Sequence, residues 1–130
     1  MAYESSQPVK ISLKAGADLS AEQFKFVKLN SSGDVVVAAA TTDRPIGVLQ
    51  NTPTSGQVAD VAIAGITKVK AGGTASVGNP VFTSASATAV TATIGSAAST
   101  FYVQGTFLED ASAGQIVSVV INSANSGRGA

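Results

Sequence analysis

Residues 47–63 read GVLQNTPTSGQVADVAI, and residues 105–121 read GTFLEDASAGQIVSVVI. In the first stretch a short apolar run, Gly47-Val48-Leu49, meets a cluster of Asn, Thr, Pro, Ser and Gly. An alternating run, Val58 to Ile63, then follows. Apolar runs of this length on either side of turn residues read as strand, turn, strand. The second stretch aligns on the first without a gap. Gly47/Gly105, Gly56/Gly114, Gln57/Gln115, Val61/Val119 and Ile63/Ile121 are identical. Leu13-Lys14-Ala15-Gly16 likewise resembles Val69-Lys70-Ala71-Gly72. Two readings fit: an internal duplication, or two hairpins that need apolar residues and a turn glycine at similar places. Either one gives two similar hairpin units packed on each other.

Working outward, the same signals recur along the chain. Val9 to Leu13 alternates, so one face can be buried and one wet. Phe24 to Leu29 is a second strand. Its alternation slips between Phe26 and Val27, which implies a bulge or a residue shared by two cores. Asn30 to Asp34 is a hairpin turn, with Gly33 suited to a positive φ. Strands are expected at 35–38, 46–49, 58–63, 66–69, 81–83, 90–94, 101–108 and 116–121. About ten short strands between Gly-rich turns predict an all-β domain, a compact sandwich or barrel. Ser20-Ala21-Glu22-Gln23 fits a capping box, and Asp18 can cap as well. The segment is too short for a stable helix, so a turn or a single helical turn is expected.

The β domain is expected over residues 9–121. Residues 1–8 are polar and end in Pro8; extended, they reach roughly 25–29 Å. They read as an extended N-terminal arm. Residues 122–130 read as a flexible polar tail.

Composition narrows function. Lys plus Arg is 8 and Asp plus Glu is 8, so the chain has no net charge to steer it to nucleic acid or to an anionic membrane. Charged residues are 12 % of the chain, about half the usual share. A surface so poor in charge favours extensive contacts in an assembly. No run approaches the ~18 apolar residues of a membrane span, and residues 1–8 lack the pattern of a secretory signal. His and Cys are absent. His-based acid–base chemistry and Ser-His-Asp or Cys-His nucleophiles are therefore impossible, and zinc lacks its preferred ligands. Glu109-Asp110, the one adjacent acidic pair, falls where the repeat places a loop and reads as a solvated tip. Asp43-Arg44 reads as an ion pair at a corner. Lys68 and Lys70 alternate on one strand face, with Lys10 and Lys14 on another segment. They read as solvated edges that discourage sheet pairing, or as a basic strip facing an acidic partner. No enzyme, cofactor or metal is expected.

A set of short blocks carries a family resemblance. They are Gln7-Pro8, Lys14-Ala15-Gly16, Phe26-Val27-Lys28-Leu29, Gly33-Asp34-Val35-Val36, Pro45-Ile46-Gly47-Val48-Leu49-Gln50-Asn51 and Gly56-Gln57-Val58-Ala59. Val61-Ala62-Ile63-Ala64-Gly65, Lys68-Val69-Lys70-Ala71-Gly72 and Gly114-Gln115-Ile116-Val117-Ser118-Val119 complete the set. Together they resemble the capsid cement, or head decoration, proteins of tailed bacteriophages, from about Pro8 to Ile121. The resemblance implies a virion protein on the outer capsid surface, made in the host cytoplasm. Its implied partners are the major capsid protein and two further copies of itself in a homotrimer, with neither nucleic acid nor membrane. The arm, with Tyr3, Glu4, Gln7 and Pro8, is expected to touch the capsid, Tyr3 as its aromatic anchor. The rival readings are a self-assembling fibre, pilus or surface-layer subunit, a small β-barrel hydrolase using Glu109 and Asp110, and a carbohydrate binder. Two Tyr and no Trp argue against the last.

Overall fold

The computed structural model describes residues 2, 8–91, 102–122 and 127–128. Among the described residues eleven strands form: β1 (Val9–Lys14), β2 (Phe26–Leu29), β3 (Val35–Val37), β4 (Gly47–Leu49), β5 (Val58–Lys70), β6 (Pro80–Thr83), β7 (Ala89–Val90), β8 (Tyr102–Val103), β9 (Gly105–Phe107), β10 (Ile116–Asn122) and β11 (Gly127–Arg128). Among the described residues there is no helix. Nine strands make one antiparallel sheet in the order β3-β2-β4-β5-β10-β9-β6-β7, with β1 also on β5. The sheet curls into a half-barrel. The all-β expectation holds, with a sheet that curves on itself rather than two stacked ones.

Two expected boundaries change. The strands expected at 58–63 and 66–69 are one strand of 13 residues, β5. Gly65 takes φ 101 inside it and still pairs with Ile121. Conversely, the strand expected at 101–108 divides at Gln104, whose N–H turns aside to donate to the Val81 carbonyl at 2.8 Å. Within the expected tail, Gly127–Arg128 pairs with Tyr102–Val103. The 18–25 segment is a run of turns. Asp18 Oδ1 accepts from the Ser20 N–H at 3.1 Å. The Ser20 hydroxyl and N–H hold the Asp18 carboxyl below the usual carboxylate range.

β5 joins two copies of one unit. Its first half pairs with β1 and β4, and its second half with β10. Residues 11–63 form the first unit and 67–121 the second, and many of their hydrogen bonds correspond. Ala15 N–H donates to the Gln57 carbonyl as Ala71 N–H does to Gln115. Gly56 N–H returns to Ala15 as Gly114 N–H returns to Ala71. Gln57 Oε1 accepts from the Thr54 N–H, and Gln115 Oε1 from the Ser112 N–H. Asn30 Oδ1 closes the first hairpin by accepting from the Ser32 and Asp34 N–H groups. Ser84 Oγ accepts from Ser86 and Thr88 in the same way. Ala87, at φ 63, even takes the left-handed position that Gly33 fills at φ 81.

The cores repeat too. Ala15, Leu19, Val27, Val35, Leu49, Ala59 and Val61 form the buried cluster of the first unit. Their counterparts Ala71, Ala75, Val81, Ala89, Phe107, Val117 and Val119 all lie in the second. That second cluster also takes in Phe26, Ala38, Val48 and Ala62, which come from the first unit. Phe26 and Val27 therefore feed one core each, which accounts for the broken alternation in place of the bulge or single shared residue expected.

Candidate interaction surface

The chemistry that could make a reactive site is dispersed. Among the described residues no three acidic side chains gather as metal ligands would. Glu109 Oε1 accepts from the Ser118 N–H at 3.2 Å, and Asp110 Oδ1 from the Val77 N–H at 2.9 Å. Both carboxylates thus fix backbone; Asp110 is exposed at its loop, and Glu109 is half-buried. Asp43 pairs with Lys28 at 2.8 Å and not with its neighbour Arg44. The Arg44 guanidinium instead lies 5.9 Å from the centre of the Tyr102 ring, a cation–π distance. Of the expected capsid contacts, Tyr3, Glu4 and Gln7 lie outside the described residues. Pro8 is half-buried and leads directly into β1.

The four lysines expected at strand edges differ in exposure. Lys68 and Lys70 lie on the second half of β5, where β10 is the one strand partner among the described residues, and are half-buried. Lys10 and Lys14 lie on β1, which pairs with β5 alone among the described residues, and are exposed. Lys14 stands opposite Val58, and Lys70 opposite Ile116. These are equivalent places in the two units. Val58 is 60 % exposed and Ile116 38 %. Each unit therefore displays a lysine beside an open β-branched side chain. Lys25 is neutralised by Glu22 at 2.7 Å, Lys28 by Asp43, and Lys14 faces Asp34 at 4.0 Å. Lys10, Lys68 and Lys70 make no ion pair among the described residues.

Such a patch suits a protein surface with carboxylates around an apolar spot. The lysine stem covers apolar area while its ammonium reaches the rim. Sequence reasoning found these lysines but missed Val58 and Ile116. Their signal was phase: both are apolar residues out of step with the buried Ala59/Val61 and Val117/Val119 positions.

This geometry offers contact surfaces, and the chain is similar to known phage proteins. A solved structure described as the head fiber gp8.5 N base in bacteriophage phi29 matches with a TM-score of 0.63 and 25 % identity. The match covers 90 % of this chain and 96 % of that one. No curated protein sequence matches the chain. Fold and comparisons together define a class, the all-β structural proteins associated with a phage capsid. Within it, residues 6–121 match the phage cement protein family, and the chain belongs to that family.

Proposed function

We propose that this chain cements a phage head. It binds the outer surface of the mature capsid as a homotrimer and clamps neighbouring major capsid proteins, without catalysis. Membership of the cement family over residues 6–121 carries this reading. The repeated pairing of a lysine with an open aliphatic, Lys14–Val58 and Lys70–Ile116, supports it by offering two like contact points per chain.

The energetics follow from linkage. A ligand that binds only the mature lattice stabilises it by RT ln(1 + [L]/Kd), about 2.7 kcal/mol per site at a hundredfold excess over Kd. A trimer engages several capsid subunits at once, so modest contacts multiply through effective concentration. The N-terminal arm supplies part of the contact. Deleting residues 2–8 should leave a folded protein that no longer co-sediments with expanded heads. Saturation of heads by the truncated chain would remove the arm from the account. A second reading, a fibre subunit, draws on the head-fiber description of the structural neighbour. Filaments formed by the purified chain alone would favour that reading over cement.

A further inference from the structure

The two units are equal in fold but unequal in cover. In the second unit Thr67, Val69, Gln104 and Ile121 are fully buried. The first unit presses Phe26, Val48 and Ala62 into the same cluster, each 0 % exposed. The counterparts of the covered residues in the first unit are Ile11, Leu13, Ile46 and Ile63. They are more apolar, yet each is only partly buried at the border of its core. The first unit therefore has an open apolar face where the second has a closed one. The covering row has counterparts as well. Phe26, Val48 and Ala62 correspond to Pro80, Thr106 and Val120 on the second unit. Pro80 and Thr106 are half-buried, and Val120 is 38 % exposed.

We propose that a second copy of this chain covers the open face of the first unit, using the Pro80-Thr106-Val120 row of its own second unit. The contact between the units of one chain is then repeated, head to tail, between chains. Side-chain exchanges across the two places support this occupant. Inside the chain, Gln50 Nε2 donates to Thr67 Oγ1 at 3.0 Å, a polar pair spanning the two units. The counterparts of that pair are Leu108 and Ile11, both apolar. Polar meets polar within the chain, and apolar would meet apolar between chains. Volume shifts in compensating directions. The covering row loses bulk from Phe26 to Pro80, while the receiving face gains it from Thr67 to Ile11 and from Val69 to Leu13. One bond is not repeated: Phe26 N–H donates to the Ala87 carbonyl, and Pro80 has no N–H to offer Gly33. A head-to-tail contact closes into a ring when its rotation allows. Closure at three copies rests on the trimer proposed above, whereas the choice of surfaces does not.

The chain has no cysteine, so thiols can be placed without background. The test is the double variant Ile11→Cys with Leu108→Cys, treated with a short bifunctional maleimide and run on a denaturing gel. Native mass is measured in parallel. The double variant should link into dimers and trimers. Each single variant should stay unlinked, because a head-to-tail contact never brings a residue against itself. Single variants that link as well as the double one would overturn the proposal. So would an unlinked double variant that remains oligomeric, an outcome that leaves the trimer standing. A chain that is monomeric throughout would overturn both. As an independent check, Val120→Arg alters a side chain already open to solvent. Melted at concentrations where both proteins are monomeric, it should keep the wild-type melting temperature, and it should weaken self-association at least tenfold. Unchanged association would contradict the proposal.

Discussion

Gly47 and Gly105 begin the two aligned stretches, and each is glycine for the same reason. A Cβ at Gly47 would collide with the carbonyl oxygen of Ala62; one at Gly105 would collide with that of Val120. Those oxygens belong to paired strands and cannot turn away. Gly47→Ala and Gly105→Ala should each cost about 1–3 kcal/mol or more, as overpacking does. Urea midpoints check this, and an unchanged midpoint for either would remove the close approach. Gln104 is the opposite case. It occupies the place of Ile46 in the repeat, is 1 % exposed, and its Oε1 has no hydrogen-bond partner among the described residues. Its Nε2 reaches the Tyr102 carbonyl at a long 3.3 Å. Leaving a buried acceptor unmade costs about 1–3 kcal/mol. Gln104→Leu should therefore raise stability by about 1 kcal/mol in the same assay. The two glycines were visible in sequence as matched positions, though the collisions that require them were not. The burial of Gln104 was not legible at all, since a polar residue inside an expected strand, here 101–108, reads as facing solvent.

At the scale of elements, β5 decides how the molecule unfolds. It ends one unit and begins the next, and the second core is completed by Phe26, Ala38, Val48 and Ala62 from the first. The second half does not close its core alone. A chain of residues 66–130 should show no cooperative melt by circular dichroism, whereas the full chain should melt in one step. Two separate transitions in the full chain would contradict this. Most strands were legible because alternation and turn chemistry agree. The repeat was only partly legible. The first unit uses residues 20–23 where the second uses 76–77, and eight residues separate Val37 from Ile46 where twelve separate Thr91 from Gln104 in sequence. No single gapless alignment therefore spans both units. Hydrogen bonds cross those length changes, which is why the structure shows one unit used twice. The break expected at Gly65 failed because glycine can enter the left-handed region without leaving the ladder.

For the whole molecule, the low charge noted in sequence now has a location. Three lysines are tied to carboxylates, while Lys10, Lys68 and Lys70 stay unpaired among the described residues. If the Lys70–Ile116 patch meets acidic capsid groups, the double variant Lys68→Glu with Lys70→Glu should lower affinity for heads. It should also flatten the salt dependence of binding, since screening acts on exposed charge. Identical binding isotherms at low and high salt for wild type and variant would remove this patch from the interface. The family was legible in short blocks spread along the chain, because those blocks hold the turns and close approaches that define the unit. The contact face was not, because a surface that meets a partner resembles ordinary exposed sheet until its counterpart in the other unit shows what covering looks like. The most direct test of cementing is mechanical. Heads of the parent phage lacking this chain are heated with and without saturating purified protein, and release of packaged DNA is followed. The account predicts release at a higher temperature when the protein is added. Release at the same temperature, with the protein bound, would contradict it.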